Sequence, residues 1–546
     1  MQTGGGCLCL LIFGWLIIGN PFQHSGAKST DRRCSLDAYD AGATAELDLK
    51  KCDLAALPAS ISRFSSLVKL DVSNNPALHD FPDLPPSITT LFALGTGFTT
   101  IPPAVAALPA LRMLSFKSAK LRDLGMLALP ASLQWLILTD NQLTSVPSSI
   151  GRLTRMRKFM LANNELDSLP ASMANMLELE LLRISNNRLT VIPNWLHKLP
   201  KLTWLAIAGN PCVASAPARA SLPTVSFSEL SLGQRLGEGT SSVVRKGEWH
   251  SKPVAVKLYK SALSSDGRNI DEVRASCAVD HENVLRWLGF VAEGGAMDMG
   301  HGGAAAAAMG GASGVGGSGS WKLVGLVEWA PGFASLGKPP SMDTVTRDTY
   351  PAGTQFTGGE IHDIAVGIAA AMQHLHSRGL AHGDLYAHNI LWKRAAAAAA
   401  AAAEGSSSSA AAAARGGGRG HGRRGTEQLD GAADGAHATA KLSDFGAAFY
   451  YGAEHAVAYE RMEQRAYGFL LEELLERHDG SEPRMLPSVR AAATAATATA
   501  VEERPGFAAL LEMLTTIKGG GGGRRLRPRG TFGRVLPSRS SLADAE

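Results

Sequence analysis

An apolar residue opens a short L-x-L pair at Leu47, Leu70, Leu91, Leu114, Leu136, Phe159, Leu182 and Leu205, at steps of 23, 21, 23, 22, 23, 23 and 23 residues. A period of that length admits few folds. One unit holds a short strand and a turn and cannot bury its own apolar face, so the units must stack and share a core. Five residues after each anchor stand Cys52, Asn75, Thr96, Ala119, Asn141, Asn164, Asn187 and Asn210. An asparagine at such a turn satisfies backbone groups that stacking removes from water. Cys52 therefore reads as a turn residue of the repeat rather than a redox residue. Thr96 and Ala119 depart from the pattern, so the middle of the stack is expected to be less regular.

These units resemble the leucine-rich repeat family over 44–212, which implies about eight repeats in a solenoid. The residues between and beside the leucines of each strand point away from the core, onto the concave face. Trp135, Ile137, Met160, Leu181 and Trp204 then form one apolar strip, expected to bind a protein or peptide ligand. Phe92 faces the same way.

The period ends at GNPC (209–212), and a linker over 213–227 precedes a different pattern. A chain of 546 residues exceeds a single core, so at least two domains are expected. A net charge of +4 gives no global field for nucleic acid, and no specific nucleic-acid partner is expected. The arginine cluster in 517–546 reads as a basic disordered tail. Six cysteines are scattered without metal-ligand spacing. No disulfide framework is expected, and a single Cys34–Cys52 or Cys34–Cys212 bridge stays open. The N-terminal segment 1–27 has an apolar core of 12 residues, Cys7 to Ile18. As a helix that spans about 18 Å, short of the roughly 30 Å hydrocarbon layer. A membrane anchor with the remainder cytoplasmic is the first expectation, since Lys28, Arg32 and Arg33 follow the apolar run. A cleaved secretory signal is the alternative.

Beyond 227 five features follow in order. RLGEGTSSVVRKG (235–247) is a glycine turn between apolar runs. VAVK (254–257) is an alternating strand ending in Lys257. Glu272 lies on a helical stretch. HGDLYAHNILW (382–392) holds Asp384 and Asn389 five residues apart, and KLSDFGAA (441–448) carries Asp444. Any one of these is weak alone; the ordered set resembles the protein kinase family over 228–516. That resemblance implies a two-lobed α+β fold and a site for ATP and Mg²⁺. It assigns Gly237 and Gly239 to the phosphates, with Val244, Ala255, Glu328 and Ala330 completing the nucleotide site. Lys257 would contact the phosphates, paired with Glu272. Asp384 would act as the base toward a protein hydroxyl, serine or threonine first, and Asn389 and Asp444 would hold the metal. Positioning and charge supply most of the catalysis in such a site.

From Asp384 to Asp444 is 60 residues, because 395–437 is Ala/Gly/Ser-rich filler; 293–320 is a second such segment. Both read as disordered insertions in hairpin turns, which cost little closure entropy. Several positions depart from the family. Ser242 replaces the third glycine, Tyr386 the usual lysine, and His388 a residue typical of either substrate class. Glu463 stands for an aspartate, no Ala-Pro-Glu motif follows Gly446, and Gly383 precedes the catalytic aspartate where many members have arginine. RPGF (504–507) matches the family's late arginine motif. The alternative reading is a repeat-based scaffold whose kinase-like domain binds nucleotide but transfers phosphate weakly.

Overall fold

The computed structural model describes residues 32–125, 129–214, 224–239, 241–291, 323–394 and 437–516. The segments 1–27, 293–320 and 517–546, nearly all of 395–437 and most of 213–227 lie outside the described residues. The leucine anchors fall on eight strands: Glu46–Asp48, Lys69–Asp71, Thr90–Phe92, Met113–Ser115, Trp135–Ile137, Lys158–Met160, Leu181–Arg183 and Trp204–Ala206 (β1 to β8). They form one parallel sheet in sequence order, with each anchor directly beside the next, from Leu47 opposite Leu70 to Leu182 opposite Leu205. All eight anchors are buried, because a side chain every second residue faces the shared core.

Asparagines bind the turns into a ladder. Asn75 Oδ1 accepts the N–H groups of Cys52 and Leu54 at 3.0 Å, while its Nδ2 donates to the carbonyls of Leu49 and Val72. Asn141, Asn164, Asn187 and Asn210 repeat the arrangement. Thr96 makes a single side-chain bond, to the Ala93 carbonyl, and Ala119 has no polar side chain. The ladder is thus broken in the middle, but the strands there stay in register.

Cys52 keeps the turn role read from its position and also forms a disulfide with Cys34, one of the two bridges the sequence left open. The reason is geometric: the short turn Arg32–Cys34 closes the open end of the stack and brings the two Cα atoms to 5.4 Å, within disulfide reach. Cys212 and Cys277 are free thiols.

The second unit opens with five antiparallel strands, Leu230–Glu238, Ser242–Trp249, Lys252–Tyr259, Trp287–Val291 and Leu323–Glu328 (β9 to β13), in the order β12-β13-β11-β10-β9. Val254, Val256 and Leu258 of β11 turn into the core, which leaves Ala255 and Lys257 on the opposite face. The helix Asn269–Cys277 packs against this sheet. A helical half follows, built on the helix Gly358–His376. Thr357 starts that helix with a capping box: its hydroxyl accepts the Glu360 N–H and the Glu360 carboxylate accepts the Thr357 N–H. Ile361, Ile364, Ala365, Ile368, Met372 and Leu375 form its buried stripe. Helices Ala456–Leu475, Leu486–Ala496 and Phe507–Thr515 surround it. Among the described residues no helix is long and apolar enough to cross a membrane.

The two units share their cores. Ala381, Phe449, Tyr459 and Met462 belong to the core of the repeats, and Leu181 and Trp204 to that of the helical half. This corrects the free apolar strip. Trp204 is 1 % exposed, its ring stacked on Tyr386 at 4.3 Å and 6° and close to Phe469. Leu181 is buried in the same cluster and Met160 packs against it. Trp135, further along, lies beneath the Lys158 ammonium at 4.1 Å, and Ile137 is half-buried. The concave face was read correctly as outward from the repeat core, but its C-terminal end is already occupied by this chain.

Candidate active site

β9 and β10 form the glycine hairpin, with Gly237 opposite Val244. The Gly239 N–H donates to the Ser242 carbonyl at 2.8 Å, so in this conformation it is held within its own turn. On the neighbouring strand Lys257 stands opposite Val244 and points to the same face as Ala255. Lys257 Nζ lies 2.5 Å from Glu272 Oε1 and 3.6 Å from Asp444 Oδ1. Burial alone would lower the lysine pKa, but the two carboxylates outweigh it and raise it, so the ammonium is fixed. Burial pushes Glu272 up to about 7, with Lys257 opposing.

Asp444 has left-handed backbone (φ 59°), and its side chain is 52 % exposed beside the cleft. Asn389 ends the single 3-10 turn Ala387–Asn389 that comes after Asp384. Its Nδ2 donates to the Asp384 carbonyl and to Asp384 Oδ2, both at 2.9 Å. Its side-chain oxygen is the candidate ligand atom, since the nitrogen is spent on Asp384. No three His, Cys, Asp or Glu side chains among the described residues are grouped to hold a metal. One carboxylate and one amide oxygen suit Mg²⁺ that takes its other ligands from phosphate and water. Glu328 spends its N–H on the Arg286 carbonyl at 2.9 Å and its carboxylate on Lys441 at 2.8 Å. The Ala330 carbonyl accepts the Phe333 N–H.

The neighbours of the Asp384–Asn389 loop explain two departures. Glu463 Oε1 accepts the Gly383 N–H at 2.7 Å and Glu463 Oε2 lies 2.6 Å from His376 Nε2, so the glutamate anchors the loop from the helix Ala456–Leu475. His388 is held by the buried Asp348, through its N–H and through Nδ1, both at 2.8 Å. Burial alone would lower the His388 pKa; Asp348 reverses this and raises it.

Sequence reasoning missed one residue that touches the site. Arg183, at the third position of β7, pairs with Asp384 Oδ1, donates to the Gly383 carbonyl at 3.3 Å, and lies 3.0 Å from Asp266 Oδ1. The available signal was a cation among apolar neighbours on the concave face, but its partner is 201 residues away. Arg504 of RPGF is fully buried and donates to the carbonyls of Ala498, Arg461 and, in the repeats, Pro200.

Comparison with known proteins matches two regions of the chain. Residues 230–467 match the model for protein tyrosine and serine/threonine kinases, and residues 154–211 match a leucine-rich repeat model. Over 73 residues the chain is 40 % identical to the activated Cdc42 kinase Ack of Drosophila melanogaster, a stretch that covers 12 % of this chain and 7 % of that one. A solved leucine-rich repeat protein of Leptospira interrogans aligns with 30 % of this chain and 48 % of its own, at 24 % identity and a TM-score of 0.26. The chain thus spans less than half the length of either. It joins a protein kinase domain, matched over residues 230–467, to a leucine-rich repeat region, matched over residues 154–211.

Proposed function

We propose that this protein is an ATP- and Mg²⁺-dependent protein kinase that phosphorylates a protein hydroxyl, with serine and threonine the first acceptors to test. The observation that carries this is the Lys257–Glu272 pair at 2.5 Å with Asp444 beside it, facing the tied Asp384–Asn389 loop. Lys257 would orient the nucleotide phosphates, and Glu272 keeps it in place. Asp384 would orient the acceptor hydroxyl and take its proton. Asn389 and Asp444 would hold the metal, which supplies charge neutralisation at the phosphates. Gly237, Gly239, Val244, Ala255, Glu328 and Ala330 would line the nucleotide. The repeats would be the protein-binding part, and because Trp204 stacks on Tyr386 both units lie on the same side of any membrane the N-terminus reaches.

The test is transfer of labelled γ-phosphate by the purified chain to serine, threonine and tyrosine peptides. Lys257→Met is expected to abolish it. Asp384→Asn is expected to keep Mg-ATP binding and to lose turnover by at least about 100-fold, the scale of general-base catalysis. Wild-type turnover in Asp384→Asn would remove the base assignment. The scaffold reading is favoured by one feature: the segment between Gly446 and the helix starting at Ala456 is short. Mg-ATP binding without transfer to any acceptor would support it.

A further inference from the structure

The hydroxyl side and the nucleotide side of this site differ in access. The Asp444 side chain is 52 % exposed, whereas that of Asp384 is 17 % exposed and that of Arg183 against it 4 %. Asp384 has both oxygens engaged, Oδ1 by Arg183 and Oδ2 by Asn389. Arg183 also reaches Asp266, in the loop before the helix that carries Glu272, so one guanidinium ties the catalytic loop to the nucleotide half.

The cover extends beyond one ion pair. Trp204 Nε1 donates to the Leu385 carbonyl at 3.0 Å while its ring lies flat on Tyr386. Glu180 bonds Thr346, and Arg157 and Arg347 join it. Asn163 Nδ2 donates to the Ser264 carbonyl at 2.9 Å. Gly383 is fitted to this cover: its φ is +75°, and a Cβ there would stand 2.6 Å from both the Ala447 carbonyl and the Leu205 carbonyl of β8. A side chain there would collide with one carbonyl of its own unit and one of the repeats, in a backbone conformation that favours glycine.

We propose that the concave face of the repeats is a built-in cap on the acceptor side of the kinase site, with Arg183 occupying the position a protein hydroxyl must take at Asp384. This rests on the kinase reading of the site. The cap leaves the nucleotide side open, so the capped protein binds Mg-ATP but withholds its base until the repeats withdraw.

The experiment compares the full chain with Arg183→Gln and Arg183→Glu. Both changes fall on the outer face of β7 and leave its buried Leu182 intact. Three quantities are read: Mg-ATP affinity, amide hydrogen exchange in 181–185 and 382–389, and phosphate transfer to a mixed peptide substrate. Expected are an affinity within about twofold, faster exchange in both segments together, and a transfer rate raised within the roughly 5- to 150-fold range of ordinary coupling. Arg183→Glu, which repels Asp384 and Asp266, should exceed Arg183→Gln. Unchanged exchange in 382–389 would overturn the cap, whatever the rates. So would faster exchange with a measurable transfer rate that is equal or lower, since Arg183 would then be positioning Asp384 for the reaction. Absence of transfer in every variant with Mg-ATP still bound would count against the kinase reading, and the exchange would still decide whether the cap exists.

Discussion

Replacing Trp204 by alanine should separate the two units and cost far more than a surface change. The ring is almost fully buried, stacks on Tyr386 and donates one hydrogen bond to the Leu385 carbonyl. Truncating a buried tryptophan costs about 3–5 kcal/mol. The aromatic pair accounts for about 0.5–1.5 kcal/mol of that kind of loss, and a carbonyl left without its donor for about 1–3 kcal/mol. These contributions overlap, so a total of about 4 kcal/mol is expected. Urea unfolding followed by far-UV circular dichroism measures it. At a slope of about 2 kcal/mol per molar, the midpoint of the transition to which the interface contributes should fall by about 2 M. Val191→Ala is the control, since Val191 is 69 % exposed and should stay within about 0.5 kcal/mol. A loss below about 1 kcal/mol in Trp204→Ala would refute the shared core and restore a free concave face.

Asn164→Ala should cost about 3 kcal/mol in the same unfolding assay, because it strands the Leu143 N–H and the Leu138 and Leu161 carbonyls, at about 1–3 kcal/mol for each buried group that finds no water. Thr357→Ala removes the capping box of the central helix and should cost about 0.5–2 kcal/mol, with thermal unfolding as the readout. His388 has a raised folded pKa, so its pairing with Asp348 contributes stability fully below the unfolded histidine value of 6.5 and loses it as pH rises through the raised value. Asp348→Asn should flatten that part of the stability–pH curve, and a curve unchanged from wild type would remove the pair as its source. Tyr450→Phe with Tyr451→Phe should leave transfer activity within a few-fold, as Gly383 offers no cation to a phosphorylated loop; a collapse would show that the loop is a phosphorylation switch.

The eight repeat anchors were legible in the sequence because their signal is local. A period near 23 places each leucine beside the next, and the strand period of two decides which side chain enters the core. The asparagine ladder was legible for the same reason, its bonds running to the adjacent turn. The constellation of Lys257, Glu272, Asp384, Asn389 and Asp444 was legible as an ordered set of motifs, although it comes from several separate elements. Cys34–Cys52 stayed one of two bridges until the terminal turn fixed the Cα positions. What covers the concave face was not legible at all. The sequence determines that Trp204 and Arg183 leave the repeat core, since that follows from backbone alternation. It does not determine what they meet, because their partners Leu385 and Asp384 lie 181 and 201 residues away and are set by how two complete units pack. Gly383 shows the same division. Its departure from the usual arginine is visible in the chain, but the need for it comes from a φ of +75° and from the carbonyls of Ala447 and Leu205, which only the packed structure brings to the Asp384 loop.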